Sequence, residues 1–187
     1  MNYSHGYPVR LIGGRLVLDF LNTADWSRDG TITHEKIDTL EDAKVWMHAR
    51  GLPELDLPAS AAELRDFRQS LRTLFLDWAD GDEGLDRVNR TLQGIDGDVL
   101  ARTENGAITS SNSLSLRQMI ALSAFSALAD PREAARIKLC PADNCGWLFL
   151  DETKNARRKW CSMESCGNRA KARRSYERSK GGSVRDR

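Results

Sequence analysis

Four cysteines are the residues of this chain whose type and spacing point most directly to a chemical role. Four residues separate Cys140 from Cys145, four separate Cys161 from Cys166, and fifteen lie between the two pairs. Two closely spaced pairs are typical of structural zinc sites, in which four thiolates enclose one ion and leave no position open for water or substrate. We therefore expect one structural Zn²⁺ bound by these four cysteines.

Other uses of the cysteines stay open from sequence alone. Iron in a rubredoxin-like site would use the same four thiolates, but the basic and polar surroundings do not suggest electron transfer. Two disulfides or unliganded thiols are the remaining alternatives, and a reducing compartment disfavours the disulfides. The three histidines, His5, His34 and His48, lie far from the cysteines in the sequence. Without a partner at ligand spacing, we expect His34 and His48 to have structural roles.

Basic residues are concentrated around and after the cysteines. Residues 138–187 carry thirteen Lys and Arg against six Asp and Glu, a net charge of +7, whereas residues 1–137 carry −6. Such asymmetry indicates that the C-terminal part meets a polyanion, since each phosphate that it neutralises releases counterions. The candidate nucleic-acid contacts are Arg157, Arg158, Lys159, Arg169, Lys171, Arg173, Arg174 and Arg178.

A C-terminal helix should present these charges in a fixed row. We predict that Gly167 turns the chain after the last thiolate and that Asn168 caps a helix beginning near Arg169. Arg173 and Glu177 are spaced to pair at i,i+4. The predicted cationic stripe consists of Lys171, Arg174 and Arg178. The predicted packing face consists of Ala172, Tyr176 and Ser179.

The N-terminal part must fold into a domain able to support this module, and its patterns are mainly helical. Apolar residues recur every three or four positions at Leu64, Phe67, Leu71, Leu74 and Trp78, with Arg65, Arg68, Gln69, Arg72 and Asp77 off the stripe. This helix should begin after Ser60 and stop at Gly81. A second helix is predicted over Leu40–Arg50, between Thr39 and Gly51.

A third helix is predicted over Leu116–Ala129, and its apolar residues occupy so much of the circumference that we expect it to be central and buried. Ser115 and Gln118 have capping-box spacing at its start, and Pro131 favours a break after it. Its predicted core residues are Met119, Ile120, Leu122, Phe125 and Leu128.

Three further segments complete the sequence-based prediction of structure. A hairpin is expected around a two-residue Asn105-Gly106 turn. The apolar run Leu16–Leu21 should be buried, although its pattern fits a strand or a helix. Trp147–Leu150 alternates as a short strand would. The fold class is therefore mainly α with a small β-hairpin: a helical domain over residues 1–135, a four-cysteine module ending in a basic helix over 136–180, and a disordered tail over 181–187.

Absent motifs restrict the function. The N-terminus lacks a secretory signal and no apolar run approaches a membrane span, so we expect a cytoplasmic protein with no membrane partner. Phosphate-loop, nucleophile-elbow and zinc-protease motifs are missing, and we expect no catalytic residues and no enzyme activity. A polar set, Asp19, Asn22, Thr23 and Asp25, could line a ligand pocket, although such residues more often cap a helix or hold a turn. The ligand-binding residues are unknown.

The segment CPADNCGWLFLDETKNARRKWCSMESCGNRAKARR resembles the CGNR-type zinc finger, named for the tetrapeptide at Cys166–Arg169. The upstream GGRLVLDFLNT resembles the start of the ABATE domain, which precedes this finger in bacterial proteins described as stress-induced transcription regulators. The N-terminal match rests on Gly13, Gly14, Leu18, Asp19, Phe20, Asn22 and Thr23. The resemblance implies a zinc-bound, DNA-binding module behind a mostly helical regulatory domain.

These observations together predict a DNA-binding transcription regulator in which the finger contacts phosphates and the N-terminal domain senses an effector or forms a homodimer. An RNA- or ribosome-associated zinc module is the first alternative, because basic four-cysteine modules serve there equally well. A small-molecule binder in the N-terminal domain, with the finger purely structural, is the second.

Overall fold

The computed structural model describes residues 1–76, 82–93, 100–102, 104–105, 108–110 and 114–181. Helices dominate, and the strands found in these residues pair into antiparallel two-stranded sheets, β1 with β2, β3 with β4 and β5 with β6. The helices are α1 (Leu16–Leu21), α2 (Leu40–Arg50), α3 (Ala61–Leu76), α4 (Asp82–Leu92), α5 (Leu116–Ala129), α6 (Pro131–Ala134) and α7 (Asn168–Gly181). The strands are β1 (Ala24–Trp26), β2 (Ile32–Glu35), β3 (Leu100–Arg102), β4 (Ile108–Ser110), β5 (Ile137–Leu139) and β6 (Leu148–Leu150). The predicted fold class is confirmed, and in the described residues no helix is both long and apolar enough to cross a bilayer.

The apolar run Leu16–Leu21 is the helix α1 at the centre of the main core. It contacts α3, α5 and β6, and its residues from Val17 to Leu21 are buried. The Gly13 amide donates to the carboxylate of Asp19 at 2.8 Å, which ties the preceding chain to the first turn. A Cβ on Gly13 would lie 2.8 Å from the backbone of Leu18 and of Asp19, so only glycine permits this close approach.

Helix α2 has the predicted bounds. Thr39 and Asp42 form a reciprocal capping box at its start, and Gly51, with φ of 72°, ends it in the left-handed conformation. Trp46 of this helix packs on Phe20 of α1, with 5.7 Å between ring centroids. The helix is therefore defined at both ends by local residues, and Ala43, Trp46 and Met47 attach it to the main core.

Helix α3 buries the predicted stripe and two residues that the pattern assigned to the other face. Leu64, Phe67, Leu71 and Leu74 are buried, and the Ser60 hydroxyl lies 3.4 Å from the Glu63 amide at the start. Arg68 and Arg72 were expected off the stripe but are only 1% and 2% exposed. Asp77, Trp78 and Gly81 lie outside the described residues.

Helix α5 has the predicted bounds and the predicted Ser115–Gln118 capping box, but its buried face differs from the prediction. Phe125, expected in the core, is 61% exposed. The buried face is formed by Leu116, Ile120, Ala121, Ala124 and Ala127. Three alanines on this face allow α5 to lie close to its neighbours, so helix spacing here depends on small residues rather than on the largest apolar ones.

The hairpins differ from the prediction in number and in register. β1 and β2 were not predicted; they pair through an irregularity between Asp25 and Trp26. β3 and β4 form the predicted hairpin, but Arg102 pairs with Ile108, whereas a two-residue Asn105-Gly106 turn would pair Arg102 with Thr109. Gly106 and Val99 lie outside the described residues.

The predicted strand near residue 148 is β6, and both of its faces are buried. Leu148 and Leu150 belong to the same apolar cluster as α1, α3 and α5, whereas Phe149, with Trp147 just before the strand, belongs to a second cluster with the four cysteines. The predicted domain boundary between residues 135 and 136 stays a prediction, since buried side chains from both sides of it pack in the same apolar cluster. Of the predicted tail, Gly181 ends α7, and residues 182–187 lie outside the described residues.

Candidate metal centre

The four cysteines converge on one point, as their spacing predicted. Cys140 follows β5, Cys145 precedes β6, and Cys161 and Cys166 lie just before and within a π-helical turn, Met163–Gly167. All four are buried, and their Sγ atoms lie within 4.8 Å of one another. The β5–β6 hairpin holds the first pair, with the Cys140 amide donating to the carbonyl of Trp147 at 2.9 Å.

The sulfur separations distinguish a metal site from disulfides. The Sγ atom of Cys161 lies 3.6 Å from that of Cys145 and 3.6 Å from that of Cys166. A disulfide requires about 2.05 Å, whereas four sulfurs at about 2.3 Å from a tetrahedral zinc ion lie about 3.8 Å apart. The arrangement therefore fits one four-coordinate ion, and it leaves no ligand position open for water or substrate.

The electrostatics of the cluster also call for a cation. Hydrogen bonds from Cys145 and Cys161 lower the pKa of the Cys140 thiol, which becomes the first to ionise. The pKa of Cys161 is raised, because its hydrogen bonds to Cys140 and to Cys145 favour the thiol form and burial opposes its ionisation. Four thiolates packed this closely repel one another, and a divalent ion at their centre removes that repulsion.

Arg169 reaches the cluster from the first turn of α7. Its Nη2 donates to Sγ of Cys166 at 3.1 Å, and this hydrogen bond raises the pKa of the guanidinium. A hydrogen bond from a cation to a metal-bound thiolate orients the ligand and reduces its charge. Of the predicted nucleic-acid contacts, Arg169 is therefore placed where it supports the metal centre.

Family comparisons agree with the geometry. Residues 136–179 match the model of the CGNR zinc finger, and residues 14–131, more than half of the chain, match the model of the ABATE domain, described as "Putative stress-induced transcription regulator". The chain belongs to the ABATE family. A comparison with curated proteins finds no match. With the finger family shown and four converging thiolates, the cofactor is one structural zinc ion, as predicted.

The opening motif of the ABATE domain is the surface on which the finger sits. The backbone carbonyl of Gly13 accepts the Leu150 amide at 2.8 Å, and Gly14 lies against the Leu150 side chain. Asn22 binds the backbone of Leu148 through both ends of its amide. Three of the seven residues that carry the family resemblance, Gly13, Gly14 and Asn22, therefore hold the start of the ABATE domain against the finger.

Like Asn22, two other members of the predicted polar set, Asp19 and Thr23, have structural roles. The fourth member, Asp25, lines a cleft. Asp19 is buried between the Gly13 amide and Arg50, 3.2 Å from the guanidinium, and Thr23 accepts a hydrogen bond from Arg68. Asp25 lies at a cleft of about 580 Å³ between the β1–β2 hairpin and the finger. The cleft is lined in part by Arg10, Asp25, His34, Lys36, Trp147 and Arg169.

Arg158 was predicted to contact nucleic acid, and in the structure its guanidinium is directed into the protein. Its guanidinium donates to the carbonyls of Ile12, Leu150, Trp160 and Cys161, and it stacks on Phe149 with 4.5 Å to the ring centroid. Four of its five donors are thus used inside the protein. Arg158 joins the finger to the segment before α1 and has little left to offer a phosphate.

Three other predicted contacts are exposed on the finger. Arg157 is exposed at the tip of the loop after β6. Lys159 lies over the ring of Trp160, and Arg173 pairs with both Glu177 and Asp143. The predicted Arg173–Glu177 pair is confirmed. The carboxylates of Glu177 and Asp143 partly neutralise the positive charge on this side of α7.

The cationic stripe lies on a fully exposed helix. Lys171, Arg174 and Arg178 line one surface of α7 together with Glu177. The predicted packing face is not packed, since every residue from Lys171 to Lys180 is exposed and Tyr176 is 60% exposed. The predicted N-cap is also wrong: Asn168 has helical dihedrals, and Ser162 instead caps the π-helical turn that runs directly into α7.

Gly167 has a different role from the predicted turn. A Cβ at this position would lie 2.5 Å from Sδ of Met163 and 3.3 Å from the ring of Trp160, so the missing side chain makes room inside the π-helical turn. Because Cys166 lies in that turn, the metal ligand and the start of α7 belong to one continuous helical segment. The orientation of the basic helix is therefore set at the metal centre.

Arg68, Arg72, Lys36 and Trp26 are the residues of this region that sequence patterns missed. Trp26 is buried between the ABATE domain and the finger, and both arginines lie over its ring, Arg72 at 4.1 Å and Arg68 at 5.6 Å from the centroid. The available signal was the i,i+4 spacing of the two arginines next to the apolar stripe. That spacing is equally typical of a solvated helix face, so it did not predict burial.

Proposed function

We propose that this protein is a bacterial transcription regulator that works in the cytoplasm, in which α7 of the finger contacts DNA phosphates and the ABATE domain receives the signal. The single observation that carries the proposal is the row of Lys171, Arg174 and Arg178 on an exposed helix that begins at a metal ligand. The proposal includes no catalytic step.

The helix geometry supports phosphate contact. At about 100° per residue, residues 171, 174 and 178 lie on one side of α7, and successive charges along a helix are about 5 to 6 Å apart. The hydrogen bonds from Nε of Arg174 and Arg178 go to carbonyls of α7 itself, and both side chains are exposed to solvent, where a phosphate could reach their Nη groups. A row of this kind can follow a phosphate backbone without reading a base.

Attachment to the metal centre would hold α7 in one position relative to the rest of the protein. A long exposed helix held only by its own backbone would fray and swing, whereas α7 continues from the turn that contains Cys166. Arg173 adds a bridge to Asp143 in the loop between the first two cysteines. The helix is thereby fixed relative to the ABATE domain, as a signal passing between the two parts would require.

Charge reversal tests the proposal. The variant Lys171→Glu, Arg174→Glu, Arg178→Glu should lose retention on duplex DNA while keeping its zinc content and its circular dichroism. The matched control, Arg28→Glu, Lys44→Glu, Arg90→Glu, changes the net charge equally at exposed positions of the ABATE domain and should retain DNA binding. Equal loss in both variants, or in neither, would contradict a role for α7.

Salt dependence provides an independent measure of phosphate contact. Because each neutralised phosphate contributes about −0.9 to the slope of log K against log salt, three contacts predict a slope about 2.7 units steeper than that of the reversed variant. A wild-type slope near zero would be incompatible with the proposal. The same series with single-stranded RNA and structured RNA tests the alternative: tighter binding to RNA than to DNA would favour an RNA-associated module.

The cleft beside the metal centre favours a second candidate role for the ABATE domain, as a small-molecule sensor. It lies between the β1–β2 hairpin and the finger, and Arg169 lines it while also contacting Cys166. An effector bound there would touch the start of α7 directly. A thermal-shift screen on the zinc-loaded protein tests this role; a stabilising compound that leaves DNA affinity unchanged would indicate binding without regulation. Light scattering of the same sample tests whether the domain forms a homodimer.

A further inference from the structure

Arg72 is a buried cation whose charge needs a partner. It lies in α3, in the ABATE domain, and it is 2% exposed. Within the described residues, its Nε and Nη1 have no hydrogen-bond partner and no carboxylate forms an ion pair with it. A guanidinium removed from water without a compensating anion is strongly destabilising, so an uncompensated Arg72 would be difficult to retain in a folded core.

The other buried cations of this region are each paired with a carboxylate. Lys36 donates to Asp25 at 2.6 Å, and Arg68 forms a bidentate ion pair with Glu35. Arg68 and Arg72 lie one turn apart on α3 and both face Trp26, so their surroundings are otherwise alike. The compensation of Arg72 must therefore come from a different kind of group.

Arg72 lies against Gly146, the residue that follows the metal ligand Cys145. The Nη2 atom of Arg72 is 3.0 Å from the position that a Cβ on Gly146 would occupy. Burial lowers the pKa of Arg72 to about 10, so the group stays protonated at neutral pH, while a negative charge on Cys145 acts in the opposite direction. Within the described residues, the anion that acts on Arg72 is thus a thiolate of Cys145, the residue next to Gly146.

The charges of the complete site also match. A divalent ion bound by four thiolates carries a net charge of minus two. Arg169 approaches this cluster from the finger with a hydrogen bond to Cys166, and Arg72 approaches from the ABATE domain beside Cys145. One cation from each part of the chain would neutralise the cluster.

We propose that Arg72 of the ABATE domain is the buried counter-charge of the zinc–thiolate cluster, so that zinc binding by the finger and packing of helix α3 are one coupled equilibrium. Loss of zinc would leave Arg72 buried without an anion and weaken the region around Trp26. The state of the metal would then be transmitted to the ABATE domain without any nucleic acid. This inference does not depend on the proposed DNA-binding function.

Zinc competition with a chromophoric chelator tests the proposal on the full-length, zinc-loaded protein. Arg72→Met, which keeps a long apolar side chain but no charge, should weaken zinc affinity by about 10 to 100-fold, the usual effect of removing a group that supports a metal ligand. Arg68→Met on the same helix removes a buried arginine whose partner is Glu35 and should leave zinc affinity within about twofold of wild type, a difference well below 1 kcal/mol by the affinity relation. Equal affinity in wild type and Arg72→Met would overturn the proposal.

The sign of the stability change provides a second test. With zinc bound, Arg72→Met should be less stable than wild type; after zinc is stripped under reducing conditions, the same variant should be as stable as wild type or more stable, because it no longer buries an unpaired charge. A substitution that destabilised both states equally would indicate a packing role alone and would contradict the proposal.

Hydrogen exchange on the wild-type chain keeps the proposal testable if Arg72→Met does not fold. Stripping zinc should reduce amide protection in α3 around residues 68–76 and in β1, in addition to the finger. Unchanged protection of α3 and β1 on zinc removal would overturn the coupling. Arg72→Lys offers an intermediate variant, since it keeps the charge without the planar group that lies over Trp26.

Discussion

The side-chain amide of Asn22 forms two hydrogen bonds with the backbone of Leu148: Nδ2 donates to the carbonyl oxygen at 2.8 Å and Oδ1 accepts the amide N–H at 3.1 Å. Both residues are buried, and 126 positions separate them in the sequence. The side-chain amide of Asn22 therefore bonds to β6 as the backbone of a neighbouring strand would. These two buried hydrogen bonds join the ABATE domain to the finger.

Replacing Asn22 by alanine should lower the free energy of unfolding by about 2 to 6 kcal/mol, because two buried backbone groups of Leu148 lose their partners at about 1 to 3 kcal/mol each. Urea denaturation with zinc present measures the change. The matched substitution Asn89→Ala, at an exposed position of α4, should stay within about 0.5 kcal/mol of wild type. Similar values for both variants would contradict the role of Asn22.

Gly146 allows the finger to lie directly against β1, so Gly146→Ala should displace the two parts. A Cβ there would lie 2.7 Å from Cβ of Trp26 and 2.8 Å from the carbonyl oxygen of Ser27, neither of which can move without shifting the strand. We expect a loss of more than about 2 kcal/mol and a change in the intrinsic tryptophan fluorescence, to which Trp26 contributes. Gly167→Ala should cost less, since most of its clash is with the flexible end of the exposed Met163 side chain. The reverse order would show that the finger does not rely on this contact.

Cys161 has close sulfur neighbours on two sides, Cys145 and Cys166, and Cys161→Ser should abolish stable zinc binding. We expect one zinc per chain in the wild-type protein by elemental analysis, and a loss of bound zinc in the variant after gel filtration, accompanied by a lower thermal midpoint because metal binding contributes folding free energy. Glu164→Ala, an exposed neighbour, should keep full occupancy. Iron instead of zinc, or disulfide-linked fragments in mass spectrometry of fresh protein, would refute the assignment.

Asp42 should make the stability of the ABATE domain depend on pH in the acid range. Burial acts to raise the pKa of Asp42, but hydrogen bonds from Ser4 and Thr39 prevail and lower it to about 2. A depressed carboxyl pKa stabilises the fold above the unfolded pKa, and this contribution is lost as pH falls from about 4 to about 2. Asp42→Asn should therefore be up to about 2 kcal/mol less stable than wild type above pH 5, with the difference disappearing near pH 2.

The comparison between Asp42→Asn and wild type at each pH separates this effect from zinc release, since both proteins lose zinc by the same proton competition. Asp66→Asn, which removes an exposed carboxylate of α3, controls for the change in net charge. A difference between Asp42→Asn and wild type that stayed constant from pH 7 to pH 2 would show that ionisation of Asp42 is not its cause.

Local residues made part of this site predictable. The four cysteines and their spacing predicted the converging cluster, because two short turns bring each pair together whatever the rest of the chain does. The cap at Thr39 and the capping box at Ser115 predicted where α2 and α5 begin, since a cap and the amide that it binds lie within one helical turn. The basic row of α7 followed from helical periodicity in the same way.

Arg158 and Phe125 show where such patterns fail. Arg158 lies within a run of basic residues, which is typical of a phosphate-binding loop, but Ile12 and Leu150 bring carbonyl groups to it that no local pattern reveals. Phe125 has the hydrophobicity of a core residue, yet the buried side of α5 is decided by α1, whose close approach favours alanine. In both cases the deciding neighbour is distant in sequence.

By itself, the amino-acid sequence determined the kind of metal site, the ends of the main helices and the sign of the exposed charge, because each depends on residues within a few positions of one another. Only the tertiary structure decided that β6 divides its side chains between two cores, that the opening motif of the ABATE domain holds the finger, and that Arg72 is buried against Gly146 beside a metal ligand. These relationships depend on which surfaces exclude water from one another, and exclusion of water is a property of contacts between distant segments.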